Sequence, residues 1–371
     1  MTIGIFYDSL LNKGGAERVV VELANELDAD IITSGYDPES LTIIPKNPVH
    51  DLGNVLARYS TTMGYLFEAP VRFFLFRNKY TYDVNIYIGF TSIYGTKKGD
   101  NNIWYCLTPN RILYDLRQYK KSQQNIIGKI AIGLHILIFS SWDKKCVKRF
   151  TTIVSQTQNI KTRVKKYYSR ESKVIFPPVQ TNTYKNEQAG DYFLAVSRLF
   201  PEKRMSLIAR AFAGMPSEKL VVVGDGPERE AIEKLVEQNS SITLLSNVPE
   251  HELIKLYANC RATVYMPIDE DYGLVPLEGM AAGKPCIAAN EGGCKETIRD
   301  GKTGFLVDPD INSIQVAVGR MSREWVISHA EECRQQAQKF DLSHCVTAWK
   351  KLLDEEWCMV QSGPNGQGGP S

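Results

Sequence analysis

The chain has almost no excess charge and no clustered metal-ligand pattern. Its 371 residues carry 44 Lys and Arg against 42 Asp and Glu, a net charge of +2. A balance this even excludes a nucleic-acid binder that works through bulk basic charge. The eight cysteines form no CxxC pair and the five histidines are scattered, which excludes a zinc finger or ribbon. Free cysteines in apolar stretches suit a reducing, cytoplasmic compartment. The opening residues, MTIGIFYDSLLNKGG, lack the basic stretch and apolar run of a secretory signal. No apolar run reaches the roughly 20 residues of a spanning helix. The longest, Ile126 to Phe139, is broken by Lys129 and His135, and Val71 to Arg77 is shorter still.

What is present is an ordinary globular composition, 43% hydrophobic and 23% charged, on a chain whose length suits two domains of roughly 100–200 residues. A strand-like run from Ile3 to Tyr7 leads through Gly14-Gly15 into a helical pattern from Ala16 to Leu27. Val19, Val20, Leu23, Ala24 and Leu27 share one face of that pattern. A short strand over Asp30–Thr33 completes a βαβ unit. Strands are also predicted at Asp83–Ile88 and Asn102–Tyr105, with helices after Pro109 and over 126–149. The second half alternates regularly. Strands are expected at Tyr192–Ser197, Leu220–Val223, Ile242–Leu245, Ala262–Met266, Pro285–Ala288 and Phe305–Val307. Helices are expected between them near 204–214, 227–238, 250–258, 274–282, 294–299 and 311–322. This is the pattern of a parallel α/β sheet. Pro177-Pro178 marks the linker. The expected division is 1–178, 179–342, a last helix within 343–360, and a disordered tail at 361–371, SGPNGQGGPS being without apolar residues.

Ligands of open α/β sheets sit at the carboxyl ends of the strands, and four segments fall there. The turn Lys13-Gly14-Gly15 opens a helix whose free amides suit an anion, or it is plain loop chemistry. Arg198 and Lys203 lie between a strand and a helix. Cations at a helix start oppose its dipole, so their placement asks for a diphosphate. Gly224-Asp225-Gly226-Pro227 is either a tight turn or a close approach to a nucleotide. In the loop and helix from Pro267 to Gly283, Glu270 and Glu278 are placed to accept hydrogen bonds from sugar hydroxyls, while the backbone of Tyr272 to Val275 meets a phosphate. Asp269-Glu270-Asp271 read alone also fits a divalent cation or a solvated loop.

Taken in order, GGAERVVVELA, SRLFPEKR, VVGDGPERE, the Glu270…Glu278 pair in DEDYGLVPLEGMAAGKPCIA, and GGCKETI resemble the family 4 glycosyltransferases. These are retaining enzymes of the GT-B fold, and the likeness runs to about Trp357. The resemblance implies two doubly wound Rossmann-like domains facing across a cleft, the first for the acceptor and the second for a nucleotide sugar. It assigns Glu270, Arg198 and Lys203 to catalysis. To donor binding it assigns Glu278, Gly14, Gly15, Gly273, Leu274, Val275, Gly224 and Val248. Arg111 and Tyr105 fall on the acceptor or sugar side. The last helix crosses back to the first domain, and neither a metal nor a cofactor is implied. The likeness is greatest to mannosyltransferases that use GDP-mannose and lipid-linked acceptors, with a UDP-sugar as the alternative donor and a non-catalytic nucleotide-sugar binder as the alternative function. Such an acceptor would bring the 71–77 and 126–139 stretches to the cytoplasmic face of a membrane, unless they are core helices. In one place the chain departs from the family. Where the family usually carries histidine in WYCLTPNRILYD, this chain has Leu107, which neither donates nor accepts a hydrogen bond.

Overall fold

The computed structural model of the chain describes residues 1–12, 14–53, 67–122 and 125–362, without the side chains of 120 and 359–362. Lys13 of the glycine turn and the expected tail beyond Ser362 lie outside the described residues. The chain divides into two compact units, Met1–Phe176 with Val346–Ser371, and Pro177–Cys345.

In the first unit, β1 (Ile3–Tyr7), β2 (Asp30–Thr33), β3 (Val49–Asp51), β4 (Val84–Ile88), β5 (Asn102–Cys106), β6 (Thr152–Ser155) and β7 (Lys173–Val174) form one sheet. Its order is β3-β2-β1-β4-β5-β6-β7, and every pairing is parallel. All five residues of β1 are buried, because helices cover both faces of a parallel sheet. Around it stand α1 (Gly15–Leu27), α2 (Ala69–Phe76), α3 (Arg117–Ser122), α4 (Ile126–Val147) and α5 (Gln158–Tyr168). Helix α1 buries its predicted face and ends at Asp28, whose left-handed backbone turns its N–H onto the Ala24 carbonyl. Helix α4 continues the apolar run to 22 residues. Among the described residues it is long and apolar enough to cross a membrane by length and composition, although the run alone looked too short. Strands β3 and β6 and helix α5 have no counterpart in the sequence reading. β3 is three residues at a sheet edge with none buried, and α5 buries only Ile160, Arg163 and Val164.

In the second unit, β8 (Tyr192–Val196), β9 (Lys219–Val223), β10 (Ile242–Leu245), β11 (Ala262–Tyr265), β12 (Cys286–Ala289) and β13 (Gly304–Val307) run parallel in the order β10-β9-β8-β11-β12-β13. Helices α6 (Met205–Ala213), α7 (Arg229–Gln238), α8 (Glu250–Asn259), α9 (Leu274–Ala281), α10 (Cys294–Thr297), α11 (Ile311–Arg320) and α12 (Arg323–Gln338) fill the connections. Helix α12 is new relative to the sequence reading. It buries only Val326, Cys333, Gln336 and Ala337, too thin an apolar stripe to stand out. Lys284 is buried here, its Nζ donating to Asn186 Oδ1 and to the carbonyls of Glu187 and Gln188.

The last helix, α13 (Leu342–Ser362), begins in the second unit and extends two residues past its expected end. Beyond Val346 it packs into the first unit. There Trp349 meets the Tyr105 ring edge-on at 5.1 Å, and Thr152 donates to Glu356 at 2.6 Å.

Within the first unit, Asp143 is fully buried on α4 and accepts the Tyr114 hydroxyl at 2.6 Å. Burial raises its carboxyl from 3.8 to about 6, against the lowering effect of that hydrogen bond. The folded state therefore holds the proton more tightly than the unfolded chain. Its contribution to stability is complete below 3.8 and is lost as pH rises through about 6. Asp143→Asn is expected to remove this dependence. In calorimetric melts, the variant's melting temperature relative to wild type should climb across that window; a flat difference contradicts the assignment.

Candidate functional site

In the second sheet the strand order reverses between β8 and β11. The loops leaving those two strands are thrown to opposite faces, so a crevice opens at their carboxyl ends. The residues after β8 are Ser197 to Arg204, and those after β11 are Met266 to Gly273. Three of the five non-glycine residues with positive φ in the described chain lie in loops at this edge: Arg204 (52°), Asn247 (51°) and Asp269 (42°). Left-handed backbone at such residues costs of order 1–3 kcal/mol each and concentrates at functional sites.

The two loops are knit together. Ile268 N–H donates to the Glu202 carbonyl at 2.8 Å. Lys203 Nζ reaches Glu270 Oε2 at 2.7 Å, with both side chains mostly shielded. Arg204 Nη1 pairs with Glu291 at 3.2 Å, and Glu291 Oε2 also accepts the Asp269 N–H at 2.9 Å. The turn after β12 completes the cradle. Gly293 N–H donates to the Glu270 carbonyl at 2.7 Å, and a Cβ on Gly292 would stand 2.2 Å from that same carbonyl oxygen. Only glycine lets the two backbones approach this closely. Glu270 thus has a fixed backbone, a cation on its carboxylate, and the Tyr265 ring and Cys294 thiol beside it. Burial first, and the Glu270 carboxylate second, hold both of those groups well above their usual titration range.

Arg198 is exposed, its guanidinium 5.5 Å from the centre of the Phe200 ring. Among the described residues no carboxylate pairs with it. Helix α9 starts at Leu274 behind a left-handed Gly273 (φ 93°), and no side chain caps its first turn. The amides of Leu274 and Val275 therefore face the crevice end of an otherwise buried helix, which is the arrangement that attracts an anion. Glu278, one turn further on, is buried. Its Oε2 accepts the hydroxyl of the fully buried Tyr257 at 2.7 Å. Val248, with Ser246, Asn247 and Pro249, lines a cavity of about 420 Å³ beside α8.

Other predicted residues are placed differently. A Cβ on Gly224 would meet the Ser197 carbonyl at 1.9 Å, so packing against the loop after β8 already accounts for that glycine. Tyr105 has no exposed surface and donates its hydroxyl to the Ile175 carbonyl at 3.0 Å. It is a core residue of the first unit rather than a sugar contact, because a β5 side chain between packed layers has no route to ligand. Arg111 is held by Asp115 at 2.9 Å, and Arg163 stands 3.6 Å from the same carboxylate oxygen. At Gly14 the Glu17 carboxylate comes so close that a Cβ there would lie 2.3 Å from its oxygen, so the start of α1, Gly15 included, already has an acid of its own beside it. Leu107 is buried, and its carbonyl accepts the Gln156 amide. Of the acidic triplet, Glu270 is taken by Lys203, and among the described residues no three His, Cys, Asp or Glu side chains converge on a metal position. Tyr257 and Glu291 are the residues that the sequence reading missed. Glu291 had a signal, an acid directly before a Gly-Gly turn; Tyr257 had none.

Removing the Tyr257 hydroxyl takes a donor from a buried carboxylate. Tyr257→Phe is expected to cost about 1–3 kcal/mol of stability in urea unfolding. A loss below about 0.5 kcal/mol, the range of ordinary surface changes, contradicts the role given to it.

The glycosyl transferases group 1 family matches residues 180–340. Over 374 aligned positions the chain is 25% identical to the alpha-1,3/1,6-mannosyltransferase ALG2 of Dictyostelium discoideum, covering 84% of this chain and 87% of that protein. It is 32% identical, over 34% of its length and 37% of the relative's, to the GDP-mannose-dependent alpha-(1-6)-phosphatidylinositol monomannoside mannosyltransferase of Mycolicibacterium smegmatis. Among solved structures, HepE of Anabaena in complex with UDP-glucose superposes with a TM-score of 0.72 at 18% identity, covering 96% of this chain and 100% of that one. The second unit is thus a group 1 glycosyltransferase domain, and the chain that carries it is a glycosyltransferase of the GT-B fold.

Proposed function

We propose that the chain moves mannose from GDP-mannose, with retention of configuration, onto a lipid-linked glycan acceptor at the cytoplasmic face of a membrane. One observation carries the reading. Arg198, Lys203 and the uncapped start of α9 gather positive charge at the strand-order reversal of the second sheet, with Glu270 fixed beside them. A diphosphate leaving group needs that arrangement. The bond between the anomeric carbon and the β-phosphate oxygen breaks, and the acceptor hydroxyl oxygen forms the new bond to the same carbon. The hydroxyl proton passes to the departing diphosphate. Charge grows on the phosphate oxygens as the bond opens, and preorganised donors stabilise it. Arg198 and Lys203 supply two cations and α9 its amides, so no metal or cofactor is required for that task.

Lys203 is paired with Glu270 in the present state. In this reading donor binding exchanges that partner: the diphosphate takes the ammonium, and the freed Glu270 carboxylate turns to the hydroxyls of the transferred sugar. Glu278, oriented by Tyr257, reads the ribose, and the cavity at Val248 receives the base. The mannose donor is favoured by the mannosyltransferases described above, one of them GDP-mannose-dependent; the UDP-glucose bound to HepE belongs to a protein alike in fold alone.

The test is release of nucleoside diphosphate from GDP-mannose in the presence of a lipid-linked saccharide, with UDP-glucose as comparison. Arg198→Ala with Lys203→Ala should lower kcat/KM at least about a hundredfold, the usual effect of losing one charge-stabilising donor, in protein that circular dichroism shows to be folded at the assay temperature. Transfer within about threefold of wild type contradicts the phosphate-clamp role. Release from UDP-glucose alone replaces the donor while leaving the mechanism.

A further inference from the structure

Helix α4 has two unlike faces. One is built into the first unit: Ile132, Ile136, Phe139, Cys146 and Val147 are buried in its core, and buried His135 lies 3.3 Å from Asn110 Nδ2. The other carries Ile126, Ile127, Ile130, Leu134, Leu137 and Ile138, all large, apolar and exposed, with Ile127 and Leu137 each 77% accessible. Their spacing of three and four places them in one stripe. An exposed apolar stripe of this size on a folded domain marks a surface that is covered by something. It is not an isolated feature. Val71 and Leu75, one turn apart on α2, are exposed as well, and α2 touches α4 through Phe74, edge-on to Trp142 at 5.4 Å.

Charge identifies what covers it. From Arg117 to Arg149 the chain carries eight Lys and Arg residues and a single acid, Asp143. That acid is fully buried, so the surface charge of this segment is cationic throughout. Lys129 flanks the apolar stripe, and Lys144, Lys145 and Lys148 continue it at its far end, all four exposed. A protein partner of mixed charge gives no reason for so one-sided a border. A bilayer with anionic headgroups does: apolar side chains enter the acyl boundary while lysines pair with the phosphates. The helix lies along that surface rather than through it. To span a bilayer it would have to withdraw its buried face from the first unit's core and leave His135 without Asn110.

We infer that the exposed face of α4, with Val71 and Leu75 of α2, docks the first unit in the plane of an anionic lipid bilayer. The inference deepens the lipid-linked acceptor of the proposed function, since an enzyme held at the headgroup level meets such an acceptor by diffusion in two dimensions.

Co-sedimentation of the full chain with vesicles tests it, using phosphatidylcholine alone and phosphatidylcholine mixed with phosphatidylglycerol. Wild type is expected to bind the mixed vesicles at least about tenfold more tightly than the neutral ones, and less tightly as salt rises. Ile130→Glu with Leu137→Glu should abolish binding to both. Lys144→Gln with Lys145→Gln and Lys148→Gln should remove the preference for anionic lipid. All positions are exposed, and circular dichroism is the check that each variant folds. Wild type remaining in the supernatant, or the glutamate variant sedimenting like wild type, overturns the inference. So does a wild-type dimer that the glutamate variant turns into monomers, because the face then belongs to a second copy. Transfer to a water-soluble acceptor separates the two claims. Activity without vesicle binding sinks only the docking surface, and vesicle binding without activity sinks only the proposed reaction.

Discussion

Lys203 and Glu270 can hold each other at 2.7 Å only because two strands that are neighbours in the second sheet send their chains in opposite directions. β8 and β11 lie side by side although 65 residues separate Val196 from Ala262. That adjacency is the constraint on which the site depends. Right-handed crossovers place the helices after β8 and β11 on opposite faces, and the loops between strand and helix are left with open backbone groups and room between them. The bracing by Glu291, the glycine cradle under Glu270, and the left-handed Arg204 and Asp269 all serve to hold two loops that have no sheet of their own to rest on. The first unit repeats the geometry with different chemistry. Its order reverses between β1 and β4, and there Asp8 accepts the amides of Phe90, Thr91 and Ser92, so an internal carboxylate fills the place where a ligand would sit.

The sequence was most readable where a single period governed both burial and structure. β9, β10 and β11 are short runs of β-branched and apolar residues between turns, and α6, α7 and α11 show one apolar face each, so their spans were legible to within two residues. Elements defined by tertiary placement were not. β3 is an edge strand, and α12 carries few apolar residues on an otherwise polar helix. Helix α4 is a subtler case. Its apolar residues go almost all the way round, so the sequence left a core helix and a membrane-facing one both open; in the fold one face is buried and the other faces outward. Composition gives the amount of apolar surface and leaves open what covers it.

At the site, the sequence located the charged groups and missed their partners. Arg198 and Lys203 stood out as cations at a helix start, where they oppose its dipole, and Glu270 and Glu278 as acids in and after the loop that follows a strand. That Lys203 neutralises Glu270, that Tyr257 orients Glu278 from 21 residues away, and that Glu291 carries Arg204 and the Asp269 amide together are facts of packing, with no local pattern to announce them. Tyr105 went the other way. It sits one residue from a loop that looks functional, and the pleat of β5 turns its ring into the core. Gly224 likewise answers to the Ser197 carbonyl, so a glycine between strand and helix is not by itself a ligand signal.

The central claim is that the positive edge of the second sheet receives a diphosphate in exchange for the Lys203–Glu270 pair. A crystal structure of the chain grown with GDP tests it most directly. The account predicts both phosphates between Arg198, Lys203 and the first turn of α9, with the Lys203 ammonium on phosphate oxygen and the Glu270 carboxylate released toward the open crevice. GDP bound elsewhere while Lys203 and Glu270 stay joined would contradict it.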